Sequence, residues 1–256
     1  MIPSFCLKGK VAIVTGGKSG IGKSIALAFA EAGADVAICG RTVEDGKLAA
    51  VADQINRFGQ RSLSLKADIS HKADVDNMVE KVTNEFGHID ILVNNAGLLI
   101  KAPFLEVPEG DWDTIIDTHL KGYFFCSQAV AKQMIKQRDG SIINVASAWA
   151  MEAALEAGVY CIAKAGVVML TKVLAVELAS HNIRANAIAP GAVLTEMFNV
   201  EGKSEVLEKE TASVPMGRLA DTSDIIGTAL YLASGASSYI TGHTIPIEGG
   251  KLAKAR

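Results

Sequence analysis

Short apolar runs that favour β-strands alternate with longer helical patterns along almost the whole chain, and this alternation constrains the fold more than any other feature. The runs are nearly continuous in apolar residues, which is typical of parallel strands covered on both faces. The pattern predicts an α/β fold: a single-domain, Rossmann-type, doubly wound parallel sheet of about seven strands with helices on both faces, over residues 1–256. The predicted strands are Val11–Thr15, Asp35–Cys39, Ser62–Lys66, Asp90–Val93, Ser141–Val145, Ile183–Ile188 and His243–Ile247.

Helical patterns separate these strands, and one polar segment interrupts the series. Residues 192–214 are polar and acidic, and long insertions in compact domains are usually functional. We therefore expect a substrate lid over 192–214, with Met197 and Phe198 near its start. The predicted helices are Ile21–Ala32, Glu44–Phe58, Ala73–Phe86, Asp111–Lys136, Tyr160–Ala179 and Ser223–Leu232.

Composition and charge argue against several classes of partner. The net charge is −3, so neither nucleic acid nor an anionic membrane is indicated as a partner. The sequence shows no signal peptide, and we expect no run of apolar residues to be long enough to span a bilayer. The four cysteines are far apart and are interpreted as free thiols in a reducing compartment, which predicts a cytoplasmic location. They are Cys6, Cys39, Cys126 and Cys161.

A glycine-rich loop, Thr15–Gly22, joins the first predicted strand to the first predicted helix. Glycine permits a tight turn and lets the backbone approach a phosphate closely, and the helix start offers free N–H groups to a pyrophosphate. The spacing Gly-x-x-x-Gly-x-Gly differs from the common dinucleotide fingerprint, and a glycine cluster can also be a plain structural turn. Its position between strand and helix favours a dinucleotide site.

Further motifs follow the glycine loop in order, and together they resemble the short-chain dehydrogenase/reductase family over nearly the whole chain. The resemblance implies a nicotinamide-dependent oxidoreductase that moves a hydride between its cofactor and a ketone or secondary alcohol. The motifs are the Thr15–Gly22 loop, Asp68 after the third strand, Asn94-Asn95-Ala96-Gly97 after the fourth, Ser147 after the fifth, Tyr160-x-x-x-Lys164, Pro190-Gly191 with Thr195, and a closing Gly249-Gly250.

Tyr160 and Lys164 lie four residues apart and hence on one helix face. A free tyrosine has a pKa of about 10, and a neighbouring ammonium lowers the pKa of a phenol. Tyr160 can therefore act as general acid towards a ketone or as general base towards an alcohol. The resemblance implies that Lys164 also holds the nicotinamide ribose and that Ser147 hydrogen-bonds the substrate oxygen. An ordinary helix pair and a strand-end hydroxyl are the structural alternatives.

The resemblance also implies the groups that hold the cofactor. Asn95, Ala96 and Gly97 line its adenosine-ribose side, and Asp68 meets the adenine with help from the backbone of Ile69. Structural alternatives are a helix cap for Asp68 and local turns for the others. The expected cofactor-binding residues are Gly16, Lys18, Ser19, Gly20, Ile21, Gly22, Arg41, Asp68, Ile69, Asn95, Ala96, Gly97, Tyr160, Lys164, Pro190, Gly191, Val193 and Thr195.

The end of the second strand favours NADP(H), with NAD(H) as the alternative. Relatives that prefer NAD tend to place an acidic residue where Gly40 stands, and this carboxylate would repel a 2′-phosphate. Here Arg41 follows Gly40, and a guanidinium suits a phosphate. Lys18 of the glycine loop could add a second positive charge. Both cations could equally be solvated surface charges.

His119 departs from the family pattern, because relatives usually carry an asparagine there. In relatives the backbone carbonyl of that asparagine holds a water in a proton relay with the lysine, and a backbone carbonyl survives substitution. His119 could itself join the relay, since histidine titrates near neutral pH, or it could be a buried, satisfied side chain. We hypothesise retained activity with an altered pH profile. The other histidines show no metal-ligand spacing, so no catalytic metal is expected. They are His71, His88, His181 and His243.

The substrate is predicted only by class. Trp149, Met151 and Leu155 lie between the serine and the tyrosine of the motif set, and apolar walls suit a small or medium hydrophobic carbonyl or alcohol. Two alternative hypotheses about the function remain open. One is a 3-oxoacyl-thioester reductase, which would dock an acidic carrier protein through basic residues. The other is a non-catalytic dinucleotide-binding sensor. The basic residues are Lys132, Lys136 and Arg138.

The resemblance also implies a homotetramer. Relatives are commonly joined through their two long central helices, which correspond here to Asp111–Lys136 and Tyr160–Ala179. The sequence itself shows no interface.

Overall fold

Seven parallel strands form one sheet in the computed structural model, which describes residues 5–196 and 204–253. The strand order is β3-β2-β1-β4-β5-β6-β7, so the order reverses between β1 and β4. This confirms the predicted doubly wound fold. The strands are β1 Val11–Thr15, β2 Asp35–Gly40, β3 Ser62–Lys66, β4 Ile91–Asn94, β5 Gly140–Val145, β6 Ile183–Pro190 and β7 Thr244–Ile247.

Helices cover both faces of the sheet and bury two separate cores. One core joins α1, α2 and α8 to the sheet and includes Ile25, Phe29 and Ile225. The other joins α3, α5 and α6 to the opposite face and includes Met78 and Val167. The helices are α1 Gly20–Glu31, α2 Lys47–Arg57, α3 Lys72–Phe86, α4 Glu109–Ile116, α5 Gly122–Gln137, α6 Gly158–Leu178, α7 Ser204–Ser213 and α8 Ser223–Ala233.

The predicted helix Asp111–Lys136 is not one regular helix. A π-helical turn, Asp117–Lys121, separates α4 from α5, and it contains His119. In this turn the N–H of Gly122 donates to the carbonyl of Asp117, five residues back instead of four. Such turns widen a helix locally and often occur at functional sites. Hydrophobic periodicity cannot show a single extra residue in a turn.

The predicted lid region contains a helix of its own. Residues 192–196 follow β6, where Val193 pairs with Ala220, and α7 covers Ser204–Ser213. Met197 and Phe198 lie outside the described residues. The lid therefore remains a prediction.

Helix α6 corrects an expectation from the sequence. The segment Gly158–His181 is long enough and apolar enough to cross a membrane, with a mean hydropathy of 1.8. One face of α6 nevertheless packs on the sheet, because Val167 and Ala175 share a buried cluster with Ala185 and Ala187 of β6. Its apolar character is that of a core helix, and it carries Lys164 into the interior.

Candidate active site

A cleft of about 550 Å³ opens at the carboxyl ends of the central strands, where the strand order reverses. Ligands bind at this position in open α/β sheets. The cleft is lined by Gly16, Lys18, Ser19, Gly20, Ile21, Cys39, Gly40, Arg41, Thr42, Ala67, Asp68, Ile69, Asn95, Ala96, Gly97, Leu98, Thr118, Thr195 and Glu196. Most of the cofactor-binding residues predicted from the sequence are therefore brought together in one place.

The glycine loop leaves room that a dinucleotide can fill. Gly16 has a φ of +67°, and a Cβ there would come within 2.8 Å of the Ala96 Cα. Gly20 has a φ of +53° and faces Thr195 across the cleft. Ser19 precedes α1 and makes no side-chain capping bond. The first N–H groups of α1 are thus not capped by that side chain, which suits a pyrophosphate at the helix N-terminus.

Asn95 and Ala96 are joined to the glycine loop by hydrogen bonds. The Asn95 amide donates to the Thr15 carbonyl at 2.9 Å. The Thr15 hydroxyl accepts from the backbone N–H groups of Asn95 and Ala96, at 2.9 and 3.1 Å. The Asn95 side chain therefore holds the two loops together, which is a long-range contact and not the local turn considered as its alternative. Both residues line the cleft.

The N-cap of α3 is His71, so the helix-cap alternative for Asp68 is wrong. Asp68 instead binds Ser70. Its Oδ1 accepts from the N–H and hydroxyl of Ser70, at 3.0 and 2.7 Å, at the entry to α3. Burial opposes ionisation of Asp68, but the Ser70 hydrogen bonds and the charges of His71 and Arg41 lower its pKa. Asp68 and Ile69 also line the cleft. A charged, half-buried carboxylate thus stands at the predicted adenine end.

Lys18 stands near the end of β2, beside Gly40 and Arg41, but it is not a free cation. Its Nζ donates to the Thr42 hydroxyl at 2.7 Å and to Asp45 Oδ2 at 3.0 Å. Hydrogen bonding to Lys18 lowers the pKa of the Asp45 carboxyl. Arg41 is exposed and lines the cleft. The structure therefore places two cations at this part of the cleft, with one carboxylate already paired to Lys18.

Ser147, Tyr160 and Lys164 converge beyond β5, as the sequence predicted. The Lys164 ammonium donates to the Val145 carbonyl at 2.6 Å and lies 5.6 Å from the centre of the Tyr160 ring. Ser147 is hydrogen-bonded to Tyr160, and its Oγ also accepts from the Trp149 N–H at 3.2 Å. A hydroxyl, a phenol and a buried amine thus lie close together, although none of the three residues is among those that line the cleft.

Burial dominates the acidity of this group and corrects an expectation from the sequence. Burial raises the pKa of Tyr160 to about 12, although the hydrogen bond with Ser147 opposes the change. The predicted net lowering of the Tyr160 pKa is therefore wrong for the protein's own groups, because the loss of water around the phenol is the largest effect. Burial also lowers the pKa of Lys164 to about 7, because an ammonium loses its hydration there.

His119 is buried beside the tyrosine, and its ring is the neutral imidazole. Its Nε2 lies 2.7 Å from the Leu98 carbonyl and 3.1 Å from the Leu98 nitrogen, and its ring meets the Tyr160 ring edge-on at 5.1 Å. Burial, followed by the charge of Lys164, lowers the pKa of His119 to about 3. The expectation that His119 titrates near neutral pH is therefore wrong. Its Nδ1 is buried without a hydrogen-bond partner among the described residues.

The residues after β6 lie across the cleft from the glycine loop. Pro190 ends β6, and the Gly191 N–H donates to the Ile247 carbonyl at 2.9 Å. Val193 is buried, whereas Thr195 lines the cleft. Of these residues, Thr195 lines the cleft. Pro190 and Gly191 form the backbone at the end of β6.

Two neighbours of the catalytic group were missed by reasoning from the sequence. Tyr123 is fully buried, and its hydroxyl lies 3.5 Å from the Lys164 Nζ. Leu98 holds His119 through its backbone. Tyr123 lies four residues after His119, and this spacing could have indicated that the two side chains are close. An aromatic residue in an apolar run, however, is first interpreted as a core residue. Backbone contacts such as those of Leu98 leave no signal in a sequence.

Comparisons with known proteins agree with this geometry. Residues 16–251 match the family model described as enoyl-(acyl carrier protein) reductase. The chain is 39% identical to 2-dehydro-3-deoxy-D-gluconate 5-dehydrogenase of Escherichia coli (strain K12), over 99% of this chain and 100% of that one. It is 41% identical to the 3-oxoacyl-[acyl-carrier-protein] reductase FabG of Staphylococcus epidermidis, over 94% of this chain and 98% of that one.

A solved structure matches the fold closely. It is the gluconate 5-dehydrogenase from Burkholderia cenocepacia J2315 in complex with NADP and tartrate, with a TM-score of 0.94, 32% identity, and coverage of 99% of both chains. With the cleft and the serine–tyrosine–lysine group in place, these matches establish the family: the chain belongs to the short-chain dehydrogenases/reductases, oxidoreductases that act on CH–OH and C=O groups with a nicotinamide cofactor.

Proposed function

We propose that this chain is an NADP(H)-preferring carbonyl reductase and alcohol dehydrogenase in which Tyr160 is the general acid and base. The supporting observation is the arrangement of Ser147, Tyr160 and Lys164 beside the glycine-loop cleft. The phenol is hydrogen-bonded to the serine, and the buried amine lies behind it on the Val145 carbonyl. A bound nicotinamide would supply the hydride for reduction or accept it in oxidation.

The chain's own residues handle the proton. In reduction, the Tyr160 O–H donates its proton to the substrate oxygen as that oxygen gains charge, and the Ser147 hydroxyl donates a hydrogen bond to the same oxygen. The resulting phenolate is stabilised by the Lys164 ammonium. Oxidation reverses these steps, with Tyr160 as the base. Because burial raises the pKa of Tyr160 to about 12, the phenol is protonated at neutral pH, which favours the proton-donating role.

We propose that the proton relay of the family survives the change to histidine. The π-helical turn replaces a four-residue hydrogen bond by the five-residue bond from Gly122 to Asp117. Such a turn alters the pairing of backbone carbonyls near Lys164, and the relay in relatives depends on a carbonyl, not on the side chain. His119 acts as a neutral residue that packs Tyr160 and holds Leu98.

The preference for NADP(H) rests on the surroundings of Gly40. A Cβ at this position would meet only ordinary contacts, the nearest being Leu48 Cδ1 at 3.4 Å, so an acidic side chain would fit but is not present. Arg41 and Lys18 supply the positive charge that suits a 2′-phosphate. Gluconate 5-dehydrogenase from Burkholderia cenocepacia, a relative of the same fold, carries NADP. Asp45 competes for Lys18, so NAD(H) remains the second cofactor to test.

The second candidate is a 3-oxoacyl-thioester reductase, favoured by the FabG relative. Docking of an acidic carrier protein by Lys132 and Lys136 gains little support, because the groove that they line, of about 660 Å³, also carries Asp76 and Glu80. A non-catalytic sensor is the third candidate. The assembled serine, tyrosine and lysine argue against it, because a sensor has no need of a proton donor beside the cleft.

One assay separates the three candidates. NADPH consumption is measured with simple ketones and diketones, with keto derivatives of sugar acids, and with acetoacetyl thioesters, using the same protein preparation. Turnover of free ketones or keto acids above thioesters supports the proposed function. Turnover mainly of thioesters supports the second candidate. Tight NADPH binding without turnover of any substrate contradicts both and supports the sensor.

We further propose a cytoplasmic homotetramer. None of the four cysteines forms a disulfide in the part of the chain that the structure describes, which suits a reducing compartment. Helices α5 and α6 expose apolar side chains that a partner subunit would cover. Light scattering after gel filtration tests the assembly, and a mass of a single chain at micromolar concentration contradicts it. The exposed side chains are Phe124, Ile162, Met169, Val173 and Val176.

A further inference from the structure

The surroundings of Lys164 include a second tyrosine that the proposed mechanism does not use. Tyr123 begins the first turn of α5, directly after the π-helical turn, and is fully buried. Its hydroxyl lies 3.5 Å from the Lys164 Nζ and 3.5 Å from the Val145 carbonyl. The Nζ also lies 5.1 Å from the centre of the Tyr123 ring. The rings of Tyr123 and Tyr160 thus both lie within 6 Å of one ammonium.

We propose that Tyr123 is a positioning residue for Lys164: its phenol oxygen and its ring hold the ammonium in place behind Tyr160, together with the Val145 carbonyl. The inference deepens the proposed function and rests on it, because it assigns Tyr123 a role only through Lys164. Tyr123 itself does not touch the substrate or the reacting atoms.

A buried ammonium requires compensation for its lost hydration. In the part of the chain that the structure describes, burial alone accounts for the lowered pKa of Lys164, and no carboxylate opposes it. The compensating groups are the Val145 carbonyl at 2.6 Å and two aromatic rings at distances within which a cation is attracted to a ring face. Tyr123 adds to this set an oxygen that accepts from Lys164 while its O–H points to Val145.

Among the titratable groups around Lys164, Tyr123 is a partner that stays neutral. Burial raises the pKa of Tyr123 well above 10. The neighbouring imidazole is neutral, since burial lowers its pKa to about 3. Burial also raises the pKa of the thiol on α5 well above its ordinary value. The groups that face this region are His119 from the π-helical turn, Cys126 from α5, Ser147 after β5, and Tyr160 and Cys161 from α6.

Removing the Tyr123 hydroxyl therefore has a defined consequence. The ammonium loses one acceptor, so the pKa of Lys164 falls further. Lys164 then carries less positive charge at a given pH, and the phenolate that forms when Tyr160 gives up its proton loses part of its stabilisation. For ketone reduction, the pH above which kcat/KM falls because the ammonium is lost moves downward by about half a unit to one unit, as expected for one hydrogen bond.

The experiment compares Tyr123→Phe and Tyr123→Leu with Tyr231→Phe, which removes a hydroxyl on α8, away from the cleft. Two quantities are measured: the pH profile of kcat/KM for ketone reduction, and the titration of isotope-labelled Lys164 by NMR in the enzyme without substrate. The Lys164 signal is assigned with Lys164→Arg. Tyr123→Phe is expected to lower the kinetic pKa and the pKa of Lys164 by similar amounts. Tyr123→Leu, which also lacks the ring, is expected to give larger shifts.

If neither the kinetic pKa nor the pKa of Lys164 changes in Tyr123→Phe, the proposal is overturned. Equal shifts in Tyr231→Phe overturn it as well. If Tyr123→Leu does not fold, the phenylalanine variant decides alone, because it keeps the shape of the buried ring. Failure of the proposed function looks different. In that case Tyr160→Phe keeps full activity, whatever the titration of Lys164 shows.

Discussion

Gly97 packs directly against the imidazole ring of His119, and the contact leaves no room for a larger side chain at residue 97. A Cβ at residue 97 would overlap the imidazole Cε1 and approach its Nδ1 to 3.0 Å. The glycine of the Asn94–Gly97 motif is thus required here by the packing of an imidazole. His119 in turn is fixed by Leu98, one residue further along.

Gly97→Ala is therefore expected to destabilise the protein by about 1–3 kcal/mol, the usual cost of overpacking a rigid site. Denaturant unfolding measures the change. The double variant Gly97→Ala with His119→Asn is expected to recover part of the loss, because the smaller side chain leaves room for the methyl group. Additive losses in the double variant would show that the two residues do not compete for space.

His119→Asn is expected to leave both limbs of the pH–rate profile in place. The pKa of His119 is lowered to about 3, so the ring carries no proton that titrates between pH 5 and 9. We expect kcat to fall by no more than about tenfold, because the side chain packs Tyr160 and does not transfer a proton. Loss of a limb near pH 6–7 in the variant would contradict the neutral imidazole.

Gly40→Asp is expected to shift the cofactor preference from NADP(H) towards NAD(H). The carboxylate would face the position of the 2′-phosphate, and like charges brought together cost several kcal/mol. The ratio of kcat/KM for NADPH over NADH should fall by at least about tenfold. Gly40→Ala is the matched control, since it adds the Cβ without the charge. A fall of the same size in the alanine variant would point to space instead of charge.

Lys164→Met is expected to stabilise the fold while abolishing activity. The pKa of Lys164 is lowered to about 7 in the folded protein, whereas an unfolded lysine titrates near 10.4. Between these values the unfolded chain binds more protons, so the stability of the wild-type protein rises with pH across this window. The variant lacks the penalty and should exceed the wild type by about 1–3 kcal/mol at pH 6, with the gain disappearing towards pH 10.

Unfolding free energies at the two pH values check this. Lys172→Met on the same helix, where the side chain is exposed, serves as the control. A stability gain in Lys164→Met that is the same at both pH values would show that burial of the ammonium is not its cause.

The sequence predicted the sheet and the place of the site, because apolar strand runs and glycine turns are local signals. Val11–Thr15 and the loop after it lie where they were expected. The π-helical turn at Asp117–Lys121 and the burial of His119 could not be predicted, since they depend on packing against residues far away in the chain. The acidity of Tyr160 was predicted with the wrong sign, because a spacing of four residues shows a nearby cation but not the loss of water around the phenol.

The central claim is that the Tyr160 phenol delivers the proton to the substrate oxygen. Tyr160→Phe tests it most directly, with NADPH binding measured in the same preparation to show that the cleft is intact. The account predicts that kcat for ketone reduction falls by about a hundredfold to ten-thousandfold, the usual contribution of general acid catalysis, while NADPH still binds. A variant that reduces ketones at nearly the wild-type rate would contradict the account.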